Sequence, residues 1–115
     1  MATLSRFQQK LIADGYCDER GAGFCATMTK SPTGIYGMVC LCVHGNTLCI
    51  YDVNVKGDMI ATVFRVNLSK ITDLKIRMNI FSQKLSFAYC GGRFSFTNFL
   101  GVRPALKVME EESLK

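Results

Sequence analysis

Four side chains that can bind metal or exchange electrons fall close together in this chain: Cys40, Cys42, His44 and Cys49. Gly45-Asn46 sits between two apolar runs and reads as a two-residue hairpin turn, because both residues tolerate positive φ. His44 then faces Thr47, Val43 faces Leu48 and Cys42 faces Cys49. Strand alternation places Cys40, Cys42, His44 and Cys49 on one face. Thiolate and imidazole are zinc ligands, but zinc draws its ligand atoms to about 2.0–2.3 Å from one point. Residues two apart on a strand are about 6.6 Å apart along it. The set therefore converges poorly, and the expectation is no bound metal and no cofactor. Redox chemistry at Cys42 and Cys49 lacks the C-x-x-C at a helix start that lowers a thiol pKa. The competing reading is that the thiols fill a half-buried outer face, with the first helix as a candidate cover, while Val39, Leu41, Val43, Leu48 and Ile50 point to the core.

A second constellation is electrostatic. The chain has 115 residues and a formal charge of +5, unevenly distributed. From Met59 to Lys107, Asp73 is the only acid among Arg65, Lys70, Lys75, Arg77, Lys84, Arg93, Arg103 and Lys107. On a strand from Ile71 to Arg77, alternation sets Lys75 and Arg77 opposite Leu74 and Ile76, so the two cations point outward together. Lys70, Lys84 and Arg93 can join them from nearby strand and loop ends. Such a face attracts anionic partners, and the candidates are a lipid head group or a protein or peptide surface. A solvated face that keeps the protein soluble is the plain alternative. Nucleic acid is disfavoured: Tyr36, Tyr51 and Phe99 read as exposed aromatics, but those between Leu85 and Thr97 alternate inward, as core residues do.

Catalytic constellations are absent from the pattern. His44 is the only histidine, and Asp52, Asp58 and Asp73 form no paired motif. "GAGFCATMTKSPTG" contains neither phosphate-cradling glycine signature. The expectation is a protein that is not an enzyme. The composition, 49% hydrophobic and 20% charged, fits one soluble domain, and no apolar run reaches membrane-spanning length. The first residues, "MATLSRFQQKLIADG", lack the continuous apolar core of a signal peptide. Six cysteines are accordingly read as reduced thiols in a cytoplasmic protein, with peripheral membrane attachment open.

The elements that must position these groups are short. Leu4, Phe7, Leu11 and Ile12 recur at helical spacing after the candidate caps Thr3 and Ser5, predicting a helix over about residues 3–14 that stops at Gly15. Period-two patterning takes over from Gly21. It predicts seven strands: Ala22 to Thr29, Ile35 to His44, Thr47 to Val53, Met59 to Val66, Ile71 to Arg77, Lys84 to Cys90 and Arg93 to Thr97, the last two joined by Gly91-Gly92. In that hairpin Leu85, Phe87, Tyr89, Phe94 and Phe96 share the dry face. Seven half-wet antiparallel strands avoid open edges by curling into a barrel or two packed sheets. Pro104 is tolerated in a helix's first turn, so a last helix is expected over about 103–112. Its apolar residues Ala105, Leu106, Val108 and Met109 would stopper one barrel end. Glu110, Glu111 and Glu112 lie at the unfavourable end of its dipole and are expected to fray.

Seven short strands and one C-terminal helix resemble the pleckstrin-homology-like barrel. "FRVNLSKITDLKIRMNIFSQKLSFAYCGGRFSF" looks like the second half of bacterial PH-like and GRAM-type domains, through Val66, Leu68, Ile71, Thr72, Asp73, Leu74, Ile76, Phe81, Leu85, Phe87, Phe94 and Phe96. The resemblance covers roughly residues 22 to 112. It implies a mainly β (α+β), seven-stranded antiparallel PH-like barrel capped by a C-terminal helix, with an extra N-terminal helix, serving as a binding or scaffolding module. Phosphoinositide-binding members share a basic pattern across the first two strands, where this chain offers only Lys30. The lead expectation is a non-catalytic module that docks an anionic lipid or a protein or peptide through Lys70, Lys75, Arg77, Lys84 and Arg93. The alternatives are a structural homodimer formed through a strand edge or the cysteine face, and, behind it, a zinc-binding or nucleic-acid-binding small protein.

Overall fold

The alternation that begins at Gly21 is realised as seven strands. The structure, a computed structural model, describes residues 6–53, 59–79, 81–99 and 104–113. Helix α1 (Arg6–Ala13) precedes β1 (Phe24–Lys30), β2 (Gly37–His44), β3 (Thr47–Val53) and β4 (Met59–Asn67). A 3-10 turn (Leu68–Lys70) leads to β5 (Thr72–Met78), β6 (Gln83–Tyr89), β7 (Gly92–Thr97) and α2 (Pro104–Ser113). Thr3, Leu4 and Ser5, named above as the start of the first helix, lie outside the described residues, as do Arg103 and the side chain of Leu106.

All strands belong to one antiparallel sheet in the order β4-β3-β2-β1-β7-β6-β5. Among the described residues no ladder joins β4 to β5, so the expected closed barrel is, by its hydrogen bonds, an open sheet. That sheet is nevertheless strongly curled. β4 and β7 are four strand spacings apart, about 19 Å in a flat sheet. Yet the rings of Phe64 on β4 and Phe94 on β7 meet edge-on with centroids 4.9 Å apart, which requires the sheet to fold over its own inner face.

That inner face is the core. Phe87, Phe94 and Phe96 are fully buried there with Met28, Leu41, Leu48, Ile50 and Leu85, and Phe87 stacks on Phe94 at 5.1 Å. Helix α2 packs on the 3-10 turn, β2 and β5, adding Ala105, Val108 and Met109 to the same core. Helix α1 lies on the other side of the sheet. Its Leu11, with Phe7 and Ile12, covers Cys40 and Cys42 in a separate small cluster, and Gln8 Nε2 donates to Gly23 O at 3.0 Å.

Four local expectations are corrected. At the β2–β3 turn only Gly45 takes positive φ, +64°, so Asn46 needs no left-handed tolerance; the register His44 to Thr47 and Cys42 to Cys49 is as expected. The β6–β7 turn is Cys90-Gly91, both left-handed at +50° and +78°, and Gly92 is already in β7, opposite Tyr89. A turn with two positive φ values matches the right-handed twist of the strands, and this outweighs the modest cost of a left-handed Cys. Third, Phe99, read as exposed, is buried and packs against Phe24 at 5.5 Å, whereas Phe81, one of the positions that carry the resemblance, is 91% exposed. Asn79 Oδ1 accepts from the backbone N–H groups of Phe81 and Ser82 at 2.9 and 2.7 Å, a side-chain-closed turn that points Phe81 outward. Fourth, α2 does not fray before its glutamates: Arg20 Nη2 donates to Glu111 at 2.9 Å and Glu112 at 3.3 Å, offsetting the dipole.

The curl makes a measurable claim about coupling. Phe94→Ala should destabilise the protein by about 3–5 kcal/mol in urea unfolding, as buried aromatic truncations do. Phe64→Ala should cost less, since Phe64 is only partly buried. Their double-mutant cycle should show coupling of about 0.5–1.5 kcal/mol, the range for ring pairs; strict additivity would mean that β4 does not meet β7.

Candidate functional site

On the outer face of β5, β6 and β7 the pairing assembles a cleft. Lys75 stands opposite Ser86 and Arg77 opposite Lys84; Ser86 in turn stands opposite Ser95, and Ala88 opposite Arg93. Opposed residues in an antiparallel pair share a face, so β5 supplies cations, β6 and β7 supply small hydroxyls, and Lys84 and Arg93 close the two ends. Lys75, Ile76, Arg77, Lys84, Ser86, Arg93 and Ser95 line a depression of about 360 Å³. Its floor is Ser86 and Ser95, both buried.

Four of the five cations singled out from the sequence meet here: Lys75, Arg77, Lys84 and Arg93. Lys70 does not. It ends the 3-10 turn, set there when Asn67 Oδ1 accepts from Ser69 N at 3.0 Å. Asp73, noted from the sequence only as the lone acid among cations and a resemblance position, takes part in the site. Asp73 has φ +54°, at the register shift between Thr72 and Lys75. This bulge turns its carboxylate toward Arg93, whose Nη1 donates at 2.8 Å, with Lys75 Nζ at 3.7 Å. The Arg93 hydrogen bond, and then the charge of Lys75, hold the Asp73 carboxyl below its ordinary value. The other fork of Arg93 reaches Ser86 Oγ at 3.3 Å. The signal for Asp73 was its solitude among cations, but nothing in its type reveals the bulge.

Arg77 and Lys84 line the other end of the cleft. Four cations on so small a face repel one another, and the arrangement is relieved by Asp73 at one end and by water at the other. An anion with several oxygens can bridge the cations and accept from the Ser86 and Ser95 hydroxyls.

The second constellation is a row of thiols. Cys40 and Cys42 are completely buried with Sγ atoms 3.7 Å apart. Cys25 stands directly opposite Cys40, Cys49 opposite Cys42, and Cys17 enters from the segment after α1. Cys40 and Cys42 therefore lie beneath the first helix, with Cys25 packed against the same cluster. His44 shares the face but is exposed at the hairpin end, so it does not join them. Among the described residues no group of three or more His, Cys, Asp or Glu side chains is arranged to hold a metal ion. Among the same residues no helix is long and apolar enough to cross a membrane.

The Asp73 contact has a direct spectroscopic test. In a ¹³C-detected titration the Asp73 carboxyl should titrate below the ordinary 3.8. Arg93→Gln should move it back up, because the hydrogen bond that favours the charged form is gone; an unchanged midpoint would show that the contact does not form in solution. As pH falls through that lowered value, Asp73 protonates and releases both cations. No protein-family model matches this chain, and comparison with curated proteins and with solved structures likewise gives no match.

Proposed function

We propose that this chain is a non-catalytic binding module with a PH-like fold that docks an anionic membrane surface through the cleft on β5, β6 and β7. The fold reading is supported by the strand order, the curl and the packing of α2 against the core. The binding reading is carried by one observation: Lys75, Arg77, Lys84 and Arg93 line a single depression floored by serine hydroxyls.

A lipid surface is favoured over an acidic peptide by what borders the cleft. Lys30 on β1 stands opposite Ser95, extending the basic row across a fourth strand. The loop that follows carries Ile35 and Tyr36, 46% and 80% exposed. It lies close to the β6–β7 turn: a Cβ at Gly92 would come within 2.4 Å of Pro32. Exposed apolar side chains beside a basic surface suit a bilayer interface, where the rings and branched chains enter the head-group region and the cations meet phosphates.

Co-sedimentation with phosphatidylcholine vesicles containing phosphatidylserine tests this. Binding should weaken steeply with salt, and Lys75→Glu/Arg77→Glu should lower affinity at least ~10-fold, since each cation near an anionic surface contributes about 1 kcal/mol. Lys70→Glu, away from the cleft, should cost severalfold less. Ile35→Ser/Tyr36→Ser should weaken binding while leaving its salt dependence unchanged. Asp73→Asn, which keeps tolerance for positive φ and frees two cations, should tighten it about 3-fold or more. Salt-sensitive binding of an acidic peptide at the same residues, without vesicle binding, would replace the lipid by a protein partner; loss of both would overturn the reading.

A further inference from the structure

We infer that Cys25 and Cys40 form an oxidation site in which Cys25 reacts with a hydroperoxide and Cys40 resolves it to a cross-strand disulfide. The inference rests on position. Cys25 on β1 and Cys40 on β2 are directly opposed in the ladder. Cys25 is partly exposed while Cys40 is completely buried. An oxidant therefore reaches the first sulfur and not the second. Directly opposed residues of an antiparallel pair have Cβ atoms about 4.5–5.5 Å apart, close enough for a disulfide after a small adjustment of the strands.

The neighbouring thiols extend this pair into a line. Cys40 Sγ and Cys42 Sγ lie 3.7 Å apart, and Cys17 packs into the same buried cluster. The hydrogen bond from Cys40 brings the Cys25 thiol down to about 7. Donation to Cys25 keeps Cys40 protonated, with its thiol pushed up. Thiolate is the nucleophile in thiol oxidation, and the line supplies it at the one sulfur of the four that meets solvent.

The step balances as follows. The Cys25 thiolate attacks one peroxide oxygen, the O–O bond breaks, and hydroxide leaves and is protonated to water. The resulting sulfenic acid is attacked at sulfur by Cys40. The S–O bond breaks, and the Cys40 proton departs with that hydroxyl as a second water. Two thiols are oxidised by two electrons and one peroxide is reduced. Cys42 and Cys17 remain thiols behind the new bond, and a dithiol reductant reverses it.

The test uses the whole reduced chain, exposed to hydrogen peroxide under native conditions, alkylated and digested with trypsin. Cys25 is the only cysteine of the peptide Gly21 to Lys30, and Cys40 lies in Ser31 to Lys56, so the expected product is a disulfide joining these two peptides, placed on Cys40 by fragmentation. Cys40→Ala should lose the cross-link and leave Cys25 as a sulfenic acid trapped by dimedone. Cys25→Ser should slow peroxide consumption about 10-fold. Oxidation confined to the exposed Cys90 with Cys25 still alkylated would overturn the assignment. So would a cross-link that persists in Cys40→Ala.

Discussion

The packing of Phe64, Phe87, Phe94 and Phe96 against one another is the constraint on which the remaining structure depends. Phe87, Phe94 and Phe96 lie on the adjacent strands β6 and β7, but Phe64 lies on β4, which a flat sheet would hold far from them, so its contact with Phe94 is available only if the sheet bends over its inner face. Each large aromatic removed from water is worth a few kcal/mol, enough to outweigh the strain of twisting a seven-stranded sheet that no ladder closes. Once the inner face is filled in this way, it has no room for chemistry. Both constellations named from the sequence are found on the outer face.

Period-two patterning made the strands and the β2–β3 register legible, because a two-residue turn ties Cys42 to Cys49 without any long-range information. It also made the cysteine face and the pair Lys75 and Arg77 legible, since alternation along one strand needs no knowledge of its neighbours. What required the three-dimensional arrangement was the pairing of distant segments. Arg20 meets Glu111 and Glu112 across most of the chain, and no local rule connects them. Lys70 looked equivalent to Lys75 in type and spacing, but the 3-10 turn between β4 and β5 takes it out of the plane of the strands. Phe99 was misassigned because it follows a strand, where alternation has stopped and burial is decided by which element happens to lie opposite.

Asp73 shows how a small backbone irregularity sets the character of the cleft. A regular strand would put Thr72, Leu74 and Ile76 on one face and Asp73, Lys75 and Arg77 on the other, with the carboxylate one step down the row. The bulge instead delivers it to Arg93, two strands away. Exposed ion pairs add little to stability, and Asp73 and Lys75 are half or more exposed, so folding gains little from the contact. Its effect is on the field: it offsets charge at one end of the cleft, while among the described residues no ion pair offsets Arg77 and Lys84 at the other.

The two outer sites are variations on one arrangement. Cys25 opposite Cys40, and Ser86 opposite Ser95, are both pairs of small side chains at opposed positions, and small residues on an outer face leave space above them. Over the cysteines that space is taken by α1, whose Leu11, Phe7 and Ile12 pack with the buried Cys40 and Cys42 while Cys25 remains partly exposed. Over the serines the described residues place no helix, only the side chains of Lys75, Arg77, Lys84 and Arg93 standing around the margin. A sheet that covers one hollow with its own helix and rims the other with cations has divided its outer surface in two. The covered half favours thiol chemistry because Cys40 is buried while Cys25 opposite it stays partly exposed, and the open half favours anions because serine hydroxyls and four cations converge there against the single carboxylate of Asp73 among the described residues.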